Sequence, residues 1–294
     1  RVSRIGGKMK IFKTEAEYQK HLDGLKTTGR LRERKKKDRT KANRMVQPLE
    51  DIVPSTQYRR PPLVDPVCGP WNFSLVHPSF GRPMMALDRI REWTTHCSPH
   101  NHVDYILSIQ EDDYLKYLSL MKHICNRAYL HPRHDIRIMS GKVQTMIGNL
   151  NEGATYARGD VLIYLSDDFH CPPNWDVEIQ KAAQGHEDTP WVLHVSDGHQ
   201  TNVQTISIMS REYYSEAGYM YCPDYMSMFV DNDYTERTKL YGNVINAKHL
   251  VFLHEHYIYG DHPIDETYKR QNSSEAWKVG ERVFAERRKK GFRP

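Results

Sequence analysis

The sequence is poor in cysteine, and its cysteines show no paired spacing. Cys68, Cys97, Cys125, Cys171 and Cys222 are an odd number, lie far apart and form no CxxC. That excludes a disulfide-stapled scaffold or a zinc ribbon and points to a reducing, cytoplasmic setting. No apolar run approaches the ~18 residues that span a bilayer, which excludes an integral membrane helix. The first residues lack a charged-then-apolar leader pattern. There is no internal repeat.

What is present is enough apolar material for a real core: 38% of 294 residues are hydrophobic and 27% charged. The length allows one large domain or two modest ones. Charge is unevenly placed. Residues 1–60 carry 18 Lys/Arg against 7 Asp/Glu, a net of +11, leaving 24 basic and 30 acidic residues beyond, a net of −6. A basic arm ahead of a mildly acidic body suggests contact with a polyanion. Within the arm, 14–25 reads as a short helix. The stretch from Arg30 to Arg44 is dense in Arg32, Arg34, Lys35, Lys36, Lys37 and Arg39. These residues are either a solvated face or tail, or phosphate contacts to DNA, RNA or anionic lipid. Pro48, Pro54, Pro61, Pro62 and Pro66 make 46–70 a linker hostile to helix and sheet.

From Trp71 strands and helices alternate. Expected strands are 73–76, 103–109, 136–139, 161–165, 191–195, 205–209 and 250–253. Expected helices are 84–93, 114–125, 150–157, 175–183, with Asn174 as N-cap, and 234–240. A C-terminal helix packs through Trp277, Val283 and Phe284. The pattern implies an α/β fold with a mainly parallel sheet covered by helices.

Ligands of open α/β sheets sit beyond the carboxyl ends of the strands. There the sequence places His77 to Pro83, a stiff turn, then Glu111-Asp112-Asp113 after the second strand and Ser166-Asp167-Asp168 after the strand at 161. Clustered carboxylates need a cation or hydrogen-bond donors to offset their repulsion. Oxygen ligands on a rigid strand end suit Mg2+ or Mn2+. With Asn174 free to cap the next helix, the Asp pair is available for metal. Asp231 and Asp233 precede a polar helix, where either is a cap or a general base facing the cleft. His254 and His256 follow an apolar run at strand spacing, and one of them could complete a metal shell.

This ordered set resembles glycosyltransferase family two, nucleotide-sugar enzymes of the GT-A fold. The matching residues are Phe73 to Arg82 with Pro78, the acidic Glu111 to Asp113, and Gly148-Asn149-Leu150-Asn151-Glu152-Gly153. They continue through Gly159-Asp160 to Ser166-Asp167-Asp168, then 172–176, Asp231-Asn232-Asp233 and the late histidines. The resemblance covers about 71–260. The usual Asp-x-Asp has Ser166 at its first position here, so Asp167, Asp168 or both face the metal. Three regions are expected: a basic arm and linker (1–70) that has no counterpart in the family, the GT-A catalytic domain that the resemblance implies (71–260), and a C-terminal helical extension packed on it (261–294). The resemblance implies donor contacts from Pro78, Ser79, Gly81, Arg82, Glu111, Asp112, Asp113, Asn151, Gly153 and Asp167. Metal ligands would be Asp168 and Asp167 with His254 or His256, and the base Asp231 or Asp233.

The implied reaction is metal-dependent transfer of a sugar from a nucleotide-diphosphate donor, uridine being commonest, to an acceptor hydroxyl with inversion. The basic arm fits a polyanionic acceptor. One example is DNA with hydroxymethylated bases, as glycosylated by virus-encoded enzymes of bacteriophage type, which would place the protein in a host cytoplasm. A lipid-linked or cell-surface glycan at an anionic membrane suits the same arm. Lys269 or Arg270 could reach the diphosphate. The rivals are a nucleotidyltransferase, for which Gly81-Arg82 is a poor phosphate loop, and a non-catalytic nucleic-acid-binding protein with a degenerate transferase fold.

Overall fold

A computed structural model of the chain describes residues 2–5, 8–11, 70–118, 133–143, 145–200, 202–259 and 264–293. The chain divides into two units, Arg1–Arg59 and Arg60–Pro294. In the first, β1 (Val2–Ile5) and β2 (Lys8–Ile11) pair as antiparallel strands, which the sequence reading did not anticipate. The helix expected at 14–25, the basic residues 30–44, the linker up to residue 69 and residues 119–125 of an expected helix lie outside the described residues.

The second unit is built on seven strands: β3 (Asn72–Ser79), β4 (His102–Gln110), β5 (His134–Gly141), β6 (Val161–Tyr164), β7 (Val192–Ser196), β8 (Ile208–Ser210) and β9 (Val244–Val251). Their order is β5-β4-β3-β6-β8-β7-β9. β8 runs antiparallel to both of its neighbours and the other pairs are parallel. The described helices of this unit are α1 (Pro83–Thr95), α2 (Met146–Ala154), α3 (Trp175–Ala182), α4 (Arg211–Ala217), α5 (Val230–Tyr241), α6 (Glu266–Gln271) and α7 (Ser274–Lys289). This is a mixed, mainly parallel sheet flanked by helices, the α/β architecture expected from the sequence.

The central strands are apolar because both faces are covered. Phe73, Leu75 and Val76 of β3 and Val103, Tyr105, Ile106, Leu107 and Ile109 of β4 are wholly buried. Trp93, Trp175 and Trp191 fill the space beside them. Buried indoles need acceptors for their N–H groups. Trp93 Nε1 donates to the Phe169 carbonyl (3.2 Å) and Trp175 Nε1 to the Trp93 carbonyl (2.9 Å). Gly159 lets β6 start against β3, since a Cβ there would lie 2.6 Å from the Asn72 carbonyl oxygen. Asp160 then accepts from the Asn72 amide (3.0 Å), and this Gly-Asp pair fixes the β3–β6 register.

Several boundaries differ from the sequence reading. β3 continues through Pro78 to Ser79, where a turn was expected. Pairing with β6 stops at Val76, so the donor that proline lacks is not needed on that side. α2 starts four residues early because Thr145 caps it, accepting from the Gly148 amide (3.0 Å). Asn174 occupies the N-cap position of α3 in the left-handed region (φ 57°), and its side chain does not cap the helix. Asparagine is one of the few residues that tolerate that backbone. α5 begins at Val230, so Asp231 and Asp233 lie inside its first turn and neither is the N-cap. β9 ends at Val251, not Leu253, and β8 is shorter than expected.

His194 of β7 offers a pH test of this sheet. Burial first, then the charges of Lys248 and Lys239, push its imidazole down to about 4. A histidine kept neutral in the fold, with an unfolded value of about 6.5, makes stability fall as pH drops from about 6.5 towards 4. The His194→Gln variant should lose this slope, seen as a urea midpoint that changes less with pH than the parent's. An unchanged slope would contradict the assignment.

Candidate active site

The strand ends β3, β4, β6 and β7 open on one rim, and the side chains there bind one another. Asp167 and Asp168 follow β6 and are both buried. Asp167 Oδ1 accepts from the Ser79 hydroxyl (2.7 Å) and faces His77 Nε2 (3.0 Å). An ionised Asp167 holds the imidazole proton on Nε2, which leaves Nδ1 to accept from the Tyr105 hydroxyl (2.7 Å). With Ser79 donating to Asp167, the Tyr117 hydroxyl donates to Ser79 Oγ (2.6 Å).

Asp168 faces a different set. Its Oδ1 contacts the Ser166 hydroxyl and lies 3.5 Å from His254 Nε2. Its Oδ2 accepts from the Tyr268 hydroxyl (2.5 Å), with Arg82 Nη1 3.9 Å away. Burial alone would raise this carboxyl. The charge and hydrogen bond of His254, then the hydrogen bonds of Ser166 and Tyr268, outweigh it and hold Asp168 well below the ordinary carboxylate range. Burial works against the His254 charge, and Asp168, then Asp197 and Asp231, raise it. His254 is fixed by a backbone bridge to Phe169, by ring stacking on Phe169 (4.3 Å) and by its amide donating to the Asp197 carbonyl (3.0 Å). The His256 ring packs 5.0 Å from that of His254 and 5.4 Å from that of Tyr268.

A carboxylate oxygen and an imidazole nitrogen 3.5 Å apart can both come within the ~2.0–2.2 Å at which such donors bind one divalent ion. Asp168 and His254 are therefore the donor pair that fits a metal on this rim. Asp167 is engaged with His77 and Ser79 behind it.

The loop after β3 is held by carboxylates. Gly81, at φ 68°, donates its amide to Asp113 Oδ2 (2.5 Å). Asp113 Oδ1 pairs with Lys116 (2.5 Å). Glu111 and Asp112 are exposed beside it. Arg82 is buried and bidentate to Asp265 (2.7 and 2.8 Å), with its guanidinium 4.2 Å above the Tyr268 ring. Burial opposes its charge, but Asp265, Asp167 and Asp168 together raise Arg82 above the ordinary guanidinium value.

Asp265 and Tyr268 were missed by sequence reasoning. The available signal was local: Asp265 caps α6, accepting from the Tyr268 amide (2.8 Å). Thr267 Oγ1 donates to the Phe80 carbonyl (2.9 Å) and Arg270 to Gln110 Oε1 (3.1 Å). The segment 265–271 thus docks on the rim through Asp265, Thr267, Tyr268 and Arg270. Arg270 reaches it, its guanidinium 4.4 Å from the Phe80 ring centroid, while Lys269 pairs with Glu266 on the surface.

Other expected site residues are differently occupied. Asn151 donates to the Tyr221 carbonyl (2.7 Å) and accepts from the Met220 amide (3.1 Å), so it holds a loop. Gly153 lets α2 pack on the sheet, since a Cβ there would meet Val76 at 3.1 Å and Ser108 at 3.2 Å. Asp233 is buried and paired with Arg287 (2.8 and 3.2 Å), and it accepts from the Tyr225 hydroxyl (3.1 Å). The Asp233 oxygens are taken up by Arg287 and Tyr225, so Asp231 is the better placed of the two for a base. Asp231 is half-buried and its charge acts on Tyr164, Tyr221 and His254. The basic-arm residues Arg32 to Arg39 lie outside the described residues.

The family model Glycosyl transferase family 2 matches residues 122–239. No curated protein matches the chain. Among solved structures, the chain is similar to Staphylococcus aureus TarS at 10% identity and a TM-score of 0.45, covering 62% of this chain and 36% of that one. It is similar to the mannosyltransferase PcManGT of Pyrobaculum calidifontis, solved with GDP-Man and Mn2+, at 11% identity and a TM-score of 0.44, covering 64% and 58%. A shorter TarS structure with UDP-GlcNAc gives 11% identity and 0.45, covering 73% and 71%. The chain therefore spans less than two thirds of the first two of these proteins.

The different burdens on the α5 carboxylates lead to a stability test. Asp233→Asn breaks a buried ion pair and should cost about 3–5 kcal/mol in urea unfolding. Asp231→Asn should change stability by under ~1 kcal/mol. Equal costs would contradict the division of roles.

Proposed function

We propose that the chain is a metal-dependent glycosyltransferase that moves a sugar from a nucleotide-diphosphate donor, UDP-linked by preference, to an acceptor hydroxyl with inversion. The observation that carries this reading is the Asp168–His254 pair on the same sheet rim as Asp231. The family match over 122–239 supports it.

A divalent cation held by Asp168 and His254 would neutralise the donor diphosphate and favour departure of the leaving group. The chain's own residues do the rest. Arg82, fixed by Asp265 and stacked on Tyr268, supplies a positive group beside the phosphates. The loop ordered by Asp113 and Gly81, with the exposed Glu111 and Asp112, receives the nucleoside. Asp167 keeps Ser79 and His77 in place beneath it. Asp231 takes the proton from the acceptor hydroxyl as its oxygen bonds to the anomeric carbon. The bond from that carbon to the phosphate oxygen breaks, and its electron pair leaves with the nucleoside diphosphate. Attack opposite the leaving group inverts the anomeric centre.

The acceptor we propose is a polyanion bearing hydroxyl groups, such as DNA with hydroxymethylated bases. This rests on the +11 charge of residues 1–60 alone.

Nucleoside-diphosphate release from a panel of nucleotide sugars, with Mn2+ and with modified DNA among the acceptors, tests the reading. Asp231→Asn should lower kcat by about 10²–10⁴ while donor affinity stays within roughly threefold. Asp168→Ala should abolish metal-dependent release. Full activity in either variant, or consumption of nucleoside triphosphates instead, would overturn the assignment.

A further inference from the structure

The C-terminal end of α1 and the loop after β6 bring together a second set of donors that the sugar-transfer reading does not use. Glu92 lies in the last turn of α1 and His96 is its C-cap residue, four positions on, so both face the same side of the helix end. Cys171 approaches from the other segment. The Glu92, His96 and Cys171 donor atoms all lie within 4.8 Å of one another. Glu92 and Cys171 are buried and His96 is half-buried, which leaves an approach from solvent.

We propose that Glu92, His96 and Cys171 form a binding site for a transition-metal ion of the zinc class, distinct from the Asp168–His254 pair. The separation of the two softer donors carries the argument. Cys171 Sγ stands 3.7 Å from His96 Nδ1. Two such donors on one tetrahedral zinc, at about 2.3 and 2.0–2.1 Å from it, lie ~3.5 Å apart. Sulfur, imidazole nitrogen and one carboxylate are a donor set that favours zinc over magnesium or manganese.

The surroundings already orient the ligands as an outer shell would. His170 Nδ1 contacts Glu92 Oε1 (3.0 Å) and Arg89 Nη1 pairs with Glu92 Oε2 (2.8 Å). A thiol ligates a metal as its thiolate, so a bound cation would displace the Cys171 proton to water. His96 Nδ1 must then present its lone pair, with its proton on Nε2. A thiolate and a carboxylate balance the two charges of the ion, and a water completes four-coordination. Such an ion would tie α1 to the segment that carries Asp168. It would add to the bonds already there: His170 to Glu92, and Arg89 Nη1 (3.5 Å) and Trp93 Nε1 (3.2 Å) donating to the Phe169 carbonyl.

The test is cobalt(II) titration of metal-stripped full-length protein, followed by zinc competition. One equivalent of Co2+ should give a near-ultraviolet thiolate-to-cobalt band that zinc abolishes. Cys171→Ser should lose the band, and His96→Gln should weaken Co2+ binding at least tenfold. Cys222→Ser and Asp168→Asn should keep it, the latter separating this site from the sugar-transfer site and leaving the result independent of turnover. Circular dichroism of each variant checks folding, and Glu92→Gln, which preserves side-chain shape, should still weaken binding at least threefold. Absence of a thiolate band in the parent, or its survival in folded Cys171→Ser, would overturn the proposal.

Discussion

The rim of the sheet depends on how one buried carboxylate is satisfied. Asp168 has almost no contact with water, and an ionised group so placed is costly unless partners surround it. The nearby Ser166 supplies one, and residues far off in the sequence supply the others: His254, Tyr268 and, at longer range, Arg82. Each partner is itself held. His254 is pinned to Phe169 and Asp197, and Arg82 to Asp265. Satisfying one charge thus organises the loops that follow β3, β6 and β9 and docks α6 upon them. That α6 carries a hydroxyl bonded to Asp168, with the carboxylate that fixes Arg82 at its N-cap, ties the C-terminal residues to the charged groups of the rim.

Burial and pairing sort the acidic residues into different tasks. Asp113, Asp167, Asp176 and Asp233 are as buried as Asp168, but their oxygens accept from groups that build structure. These are the Gly81 amide, Ser79, the Ser98 amide with Asn101, and Arg287. Hydrogen bonds to a charged acceptor are among the stronger ones, so these aspartates act as braces. Glu111 and Asp112 lie exposed beside the braced loop.

Much of this was legible in the sequence where the determining forces are local. Runs such as Val161 to Tyr164 announce buried strands because a sheet covered on both faces needs apolar residues throughout. The two acidic strand ends followed from those strands. What escaped was decided by distant partners or by special backbone. Tyr268 and Asp168 are 100 residues apart, and Arg82 and Asp265 are 183 apart, so no local pattern joins them. Pro78 suggested a turn because its tolerance inside the sheet depends on where the neighbouring strand stops. Asn174 stands at the N-cap as expected, but the left-handed backbone that goes with its lack of a side-chain cap bond leaves no trace in composition.

The choice between Asp231 and Asp233 shows how far helical geometry alone can go. Successive residues of an α-helix turn by about 100°, so positions i and i+2 point ~200° apart. Once both lie inside the first turn of α5, they must face opposite ways. One side of that helix packs on α7, where Arg287 claims Asp233 and the rings of Phe284 and Trp277 close around Phe229. The other side is left to Asp231, whose charge is felt by Tyr164, Tyr221 and His254. A pair of carboxylates two residues apart is therefore divided by the helix itself into one that holds the C-terminal helix and one that faces the rim. The start of α5 at Val230, fixed by Phe229 in the left-handed region at its N-cap, sets which is which.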